Sequence, residues 1–155
     1  MPIVITRPTT DALIEDCCRE LMEGILPGLT DETLKLRLIM TETVLRNAAV
    51  RAAHEIAWMR EETTALLGYA GRVAERHGSE ALRAALAEAE AGPPDSLHLA
   101  DVADRYERAG QAFTAALVAA QEAGDAAMVA QARELLRDRI ATEKEVMATY
   151  EVVGR

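Results

Sequence analysis

A chain of 155 residues with a formal net charge of -9 presents an acidic surface that repels a phosphate backbone, which argues against nucleic-acid binding. Half of the residues are apolar, enough for one domain-sized core, but they are mostly Ala, Leu, Val and Ile, with one Phe, one Trp and three Tyr. Small side chains let helices approach closely and leave little aromatic material to wall a flavin or haem.

Residues 1–9 read as an extended N-terminal arm in which Ile3, Val4 and Ile5 form a β-branched run too short to found a sheet. The arm would lie on the body or on a neighbouring subunit. A first helix is predicted over 10–23, with an apolar stripe of Leu13, Ile14, Cys17, Cys18 and Leu21 and with Met22 beside it. Adjacent helical residues point about 100° apart, so Cys17 and Cys18 are poorly placed to bridge each other. They form no zinc-site spacing either, and both read as small core or near-core residues of a reduced, cytoplasmic chain. "GILPGLT" then breaks the helix at Pro27 and Gly28.

The second helix is predicted from Thr30 to Leu67, extending to His77 if Gly68 and Gly71 do not break it. Thr30 is the expected N-cap, Asp31 and Glu32 favour the positive helix end, and Leu29 and Leu34 suit a hydrophobic staple. A short third helix over 80–91, capped by Ser79, ends at "AGPPDS". The fourth, over 96–123, carries Leu99, Val102, Tyr106, Ala109, Phe113, Leu117 and Ala120, with Asp95 or Ser96 as its cap. After a Gly124-Asp125 turn, the fifth runs over 126–152 with Met128, Ala132, Leu135, Leu136, Ile140, Val146, Met147 and Tyr150. The tight turn makes these two an antiparallel hairpin. The expected fold is all-α, an antiparallel up-and-down bundle over 10–153, with four main helices and the third as a crossover. No twenty-residue apolar span or secretion signal is apparent, so no membrane insertion is expected.

The stretch "AAHEIAWMREETTALLGYAG" holds the most suggestive chemistry. At helical spacing Asn47, Val50, His54, Ala57, Trp58 and Glu61 share one face. His54 reads first as a half-buried histidine satisfied by neighbours. A catalytic base or metal ligand is the alternative, and "HEI" followed by "TALLGYA" resembles the phosphoacceptor helix of sensor histidine kinases. That kinase pattern has a Pro soon after the His-Glu, where this chain has "AWMREE". A polar cluster of Asn47, His54, Trp58 and Glu61 with Glu107, Arg139 and Glu143 is the candidate site. Arg139 with Glu143 and Glu42 with Arg46 are i,i+4 pairs suited to salt bridges within their helices. A ferritin-like metal centre needs Glu-x-x-His pairs that the chain lacks. Its weak substitutes are Glu42, Glu61, Asp95, His98 and Asp101, so neither a metal nor another cofactor is expected. Ser79 and Ser96 are the only serines, both near helix starts, and no nucleotide-binding or serine-hydrolase motif occurs.

"TTDALIEDCCRELMEGILPGL", followed by a helix with "LRNAAVRAAHE", resembles a small bacterial helical family of unknown function. Members are typically encoded near aminoglycoside-phosphotransferase-like kinases and acyl-CoA dehydrogenases. The resemblance covers roughly residues 9–60 and rests on Leu26, Pro27, Leu29, Asn47, Ala48 and Glu55; His54 stands where the family has Arg. It implies an accessory role in acyl-CoA or lipid metabolism and no particular reaction. The sequence therefore suggests a non-catalytic accessory or scaffold protein that associates with a protein partner and forms a homodimer through the long second helix. The alternatives are a metal-dependent or acyl-ligand-binding bundle, or histidine phosphotransfer through His54.

Overall fold

A computed structural model of the chain describes residues 7–91, 93 and 95–147, with side chains through residue 144. The fold is all-α, an antiparallel up-and-down helical bundle, and no strand occurs among the described residues. The helices are α1 (Thr10–Arg19), α2 (Glu32–His77), α3 (Glu80–Glu90), α4 (Leu99–Glu122) and α5 (Ala126–Met147). The expected arm at Ile3–Ile5 and the end of the fifth helix beyond Met147 lie outside the described residues. The chain divides into two compact units, Ile56–Thr142 and Met1–Glu55 with Glu143–Arg155.

In the unit Ile56–Thr142 the core follows the 3.6-residue period. The C-terminal half of α2 buries Thr63, Leu66, Tyr69, Ala70 and Val73, while α4 buries Val102, Ala109, Ala112, Phe113, Ala116, Ala119 and Ala120. Most of the α4 seam is alanine, so a neighbouring helix can come close without interlocking long side chains. Tyr69 and Phe113 supply the large rings, with centroids 5.2 Å apart at a 50° tilt. From α5 come Met128 and Ala132, with Leu135 packed beside them. The α3 helix places Leu82 and Ala89 in the same cluster and packs extensively on α4. The short helix that joins α2 to α4 thus also contributes to the core. Tyr106 and Leu117 of the expected α4 stripe are half-buried, but Leu99, Leu136 and Ile140 are exposed.

Local chemistry sets the ends of these helices. Ser79 Oγ accepts the Leu82 N–H at 3.2 Å, the N-cap expected for α3. A Cβ at Gly78 would collide with the Ala74 carbonyl, so the chain leaves α2 there through glycine. The turn after α4 has Gly124 at φ +67°, with Gly124 N–H donating to Gln121 O and Asp125 N–H to Ala120 O, both at 3.0 Å. This Schellman arrangement closes α4 as Asp125 opens α5 by accepting the Met128 N–H at 3.0 Å. The expected start of α4 at Ser96 is displaced to Leu99. The Ser96 hydroxyl accepts the His98 N–H at 3.2 Å and donates to Asp101 Oδ2 at 2.6 Å, so it organises the approach to the helix. Gly68 and Gly71 leave α2 unbroken.

In the other unit α1 is α-helical only to Arg19. A π-helical segment, Glu20–Ile25, and a 3₁₀ turn, Leu26–Gly28, follow where a simple helix to residue 23 was expected. Pro27 has no N–H to continue an α-helical ladder, so the hydrogen-bond spacing changes across this corner. The N-cap of α2 is Asp31, not Thr30: Asp31 Oδ1 accepts the Thr33 N–H at 2.7 Å and the Leu34 N–H at 3.2 Å. That shift moves the staple positions by one residue, and Leu34 stands exposed.

Candidate functional site

The N-terminal half of α2 has two unlike faces. Leu38 and Leu45 are half-buried on one side, with Glu42 and Ala49 buried between and beyond them. Cys18 of α1 is also buried, and its thiol donates to the Glu42 carbonyl at 3.8 Å. Glu42 pairs with Arg46 one turn on, as its i,i+4 spacing predicted. Burial pushes the Cys18 thiol up, and the Glu42 carboxylate adds to the effect. Cys17 is exposed, contrary to a shared core role, because its position about 100° round the helix turns it away.

On the other side Leu36, Met40 and Val44 recur at i, i+4 and i+8, and they are 58, 62 and 61% exposed. Beside Leu36, an open groove of about 490 Å³ is lined by Leu26, Pro27 and Ile39, with Glu32 and Lys35 at its edge. The corner that carries Leu26 and Pro27 therefore supplies one wall and α2 the other. From residue 32 to 55 the acids Glu32, Glu42 and Glu55 stand against the bases Lys35, Arg37, Arg46 and Arg51. The strong acidity of the chain is thus not carried by this helix.

No family model, curated protein or solved structure matches this chain. The candidate site accordingly rests on its own geometry.

The polar residues singled out in the sequence are distributed as follows. In the N-terminal unit Asn47 is half-buried, while His54 and Glu143 are exposed. His54 is thus not the half-buried histidine expected. Asp11 of α1 lies within its electrostatic reach: the Asp11 carboxyl is held below its ordinary range by a Thr9 hydrogen bond foremost, with His54 contributing. In the unit Ile56–Thr142 Trp58 is half-buried, and Glu61 and Glu107 are exposed. Arg139 meets Glu62, with Nε 3.7 Å from Glu62 Oε1. Glu62 Oε2 also accepts the Tyr106 hydroxyl at 2.8 Å, and the Arg139 guanidinium lies 6.0 Å from the centre of the Tyr106 ring. Glu62, Tyr106 and Arg139 join three helices and fix their register. Glu62 was visible in the sequence only as one of two adjacent acids, and choosing between them requires knowing which side of α2 meets α4 and α5.

The proposed metal substitutes are engaged differently. Glu42 pairs with Arg46, Glu61, Asp95 and His98 are exposed, and Asp101 accepts from Ser96. Among the described residues no three His, Cys, Asp or Glu side chains gather closely enough to hold a metal ion. A cleft of about 70 Å³ is lined by Arg60, Thr63, Ser96, Asp101 and Arg105. Arg60 Nη1 donates there to the Ser96 carbonyl at 3.2 Å and ties the linker to α2. No helix among the described residues is long and apolar enough to cross a membrane.

Proposed function

We propose that this protein is a non-catalytic helical accessory module that acts by association, and that its N-terminal α2 face joins two copies into a homodimer. The observation that carries this reading is the exposed line of Leu36, Met40 and Val44. Single exposed apolar residues are ordinary on protein surfaces, but a row of three beside an apolar groove has the pattern of a binding face. A two-fold pair of such faces gains from burying them on both sides at once. The remaining surface of each copy would be available to a different protein, the accessory role.

Light scattering and sedimentation velocity at tens of micromolar test this. Wild-type protein is expected to be dimeric, and Met40→Glu monomeric with an unchanged helical circular dichroism spectrum. A wild-type monomer at 100 µM or so would overturn the assignment.

A further inference from the structure

The exposed row carries information about orientation as well as association. Building on the homodimer reading, we infer that the two α2 helices cross antiparallel, with the two-fold axis close to Met40, and that Val44 of each copy seats at the groove beside Leu36 of the other.

The apolar row is symmetric about its middle member. An axis at Met40 sets Met40 against its copy and Leu36 against Val44 of the second chain. Each copy thereby presents both a projecting side chain, Val44 at 61% exposure, and a receptive groove lined by Leu26, Pro27, Leu36 and Ile39. One isologous contact uses each feature twice.

Charge selects between the two ways of aligning the helices. The corner leading into α2 carries Glu20, Glu23, Asp31 and Glu32, all exposed. A parallel pair would bring the two acidic corners together and align both helix dipoles. An antiparallel pair carries the corners to opposite ends and reverses one dipole against the other. At this register Glu32 of one copy comes alongside Arg46 of the second on the same flank. Their side chains are 83 and 51% exposed, so each can reach across while keeping its own neighbour, Lys35 or Glu42. The near balance of charge along 32–55 lets two chains of net charge -9 meet here.

Single-cysteine crosslinking tests the inference. In a Cys17→Ser background, with Cys18 left buried, the variants Met40→Cys, Leu36→Cys and Val44→Cys are oxidised with copper phenanthroline and run on non-reducing gels. Antiparallel pairing at Met40 predicts a covalent dimer from Met40→Cys alone. It also predicts a mixed dimer when Leu36→Cys and a size-tagged Val44→Cys are combined. Two Leu36 positions would be separated by about 12 Å along the axis, beyond disulfide reach, so Leu36→Cys alone should give none. Efficient self-crosslinking of Leu36→Cys would overturn the antiparallel arrangement while leaving dimerisation intact. A light-scattering dimer that yields no crosslink at any of the three positions would overturn the inferred face. A strictly monomeric wild type would remove the underlying reading as well. Independently, Glu32→Arg is expected to weaken dimerisation about tenfold, with partial recovery when Arg46→Gln, whose amide can still donate to Glu42, is added to the same chain. Failure to recover, with fold preserved, would remove the Glu32–Arg46 register.

Discussion

Replacing Leu82 by alanine tests whether α3 belongs to the core. Leu82 is fully buried and lies in one cluster with Ala89, Val73, Phe113 and Met128. The change removes three carbons, whose transfer alone is worth about 2.4 kcal/mol at roughly 0.8 kcal/mol per buried methylene. A cavity cost adds to this. The facing α4 seam is built from Ala109, Ala112, Ala116 and their neighbours, and alanine has no rotamer with which to fill a hole. Relief must come from movement of the α3 backbone, which Ser79 and the packing on α4 resist. The expected loss is therefore about 3–4 kcal/mol, within the usual span for buried Leu→Ala changes. Urea unfolding followed by circular dichroism should show a lower midpoint at an unchanged slope. Glu88→Ala, on the exposed side of the same helix, serves as the control and should stay within about 0.5 kcal/mol of wild type. A loss below about 1 kcal/mol for Leu82→Ala, similar to the control, would refute the placement of α3 in the core.

At the start of α2, Asp31→Ala should cost about 1 kcal/mol and Thr30→Ala less than about 0.5 kcal/mol in the same unfolding assay; the reverse order would refute the Asp31 cap. The Tyr69 hydroxyl is buried and finds no protein partner among the described residues, so Tyr69→Phe should raise stability by about 1 kcal/mol, and a loss would reveal a hydrogen bond to that oxygen. The Asp125 carboxyl is held below its ordinary range, first by the His77 hydrogen bond at 2.9 Å and then by the Met128 N–H. Because the folded value is depressed, its stabilisation is present above the unfolded pKa and lost as pH falls through the folded one. The stability gap between wild type and Asp125→Asn should thus be full above about pH 5 and close in acid below about pH 4; a gap that widens in acid would contradict this account. Finally, iodoacetamide should modify Cys17 in the native protein and reach Cys18 only on unfolding, as mass spectrometry of the labelled peptide can check; equal native rates would contradict their placement.

The placement of the helices was legible because caps and breakers act over a few residues. Ser79 opens α3, Pro27 breaks the first helix, and Gly124 closes α4, each through its own backbone geometry. The 3.6-residue spacing likewise marked Val102, Ala109, Phe113 and Ala120 as one inward face. Local rules gave way where neighbours competed for one role. Thr30 and Asp31 are both competent caps, and it is Asp31 that accepts the Thr33 and Leu34 N–H groups. Ser96 was available as a cap, but its hydroxyl instead bridges the His98 N–H and the Asp101 carboxylate ahead of the helix. Tertiary packing alone decided which side of α2 turned inward. Apolar residues lie on more than one side of α2, and only the burial of Cys18 and Glu42 reveals Leu36, Met40 and Val44 as the outer row. Glu62 rather than Glu61 meets Tyr106 and Arg139 because adjacent helical residues differ by about 100° in direction. The buried Leu82 is equally a long-range outcome: Leu82 and Ala89 of α3 enter the core because α4 offers an alanine seam narrow enough for the helix to approach.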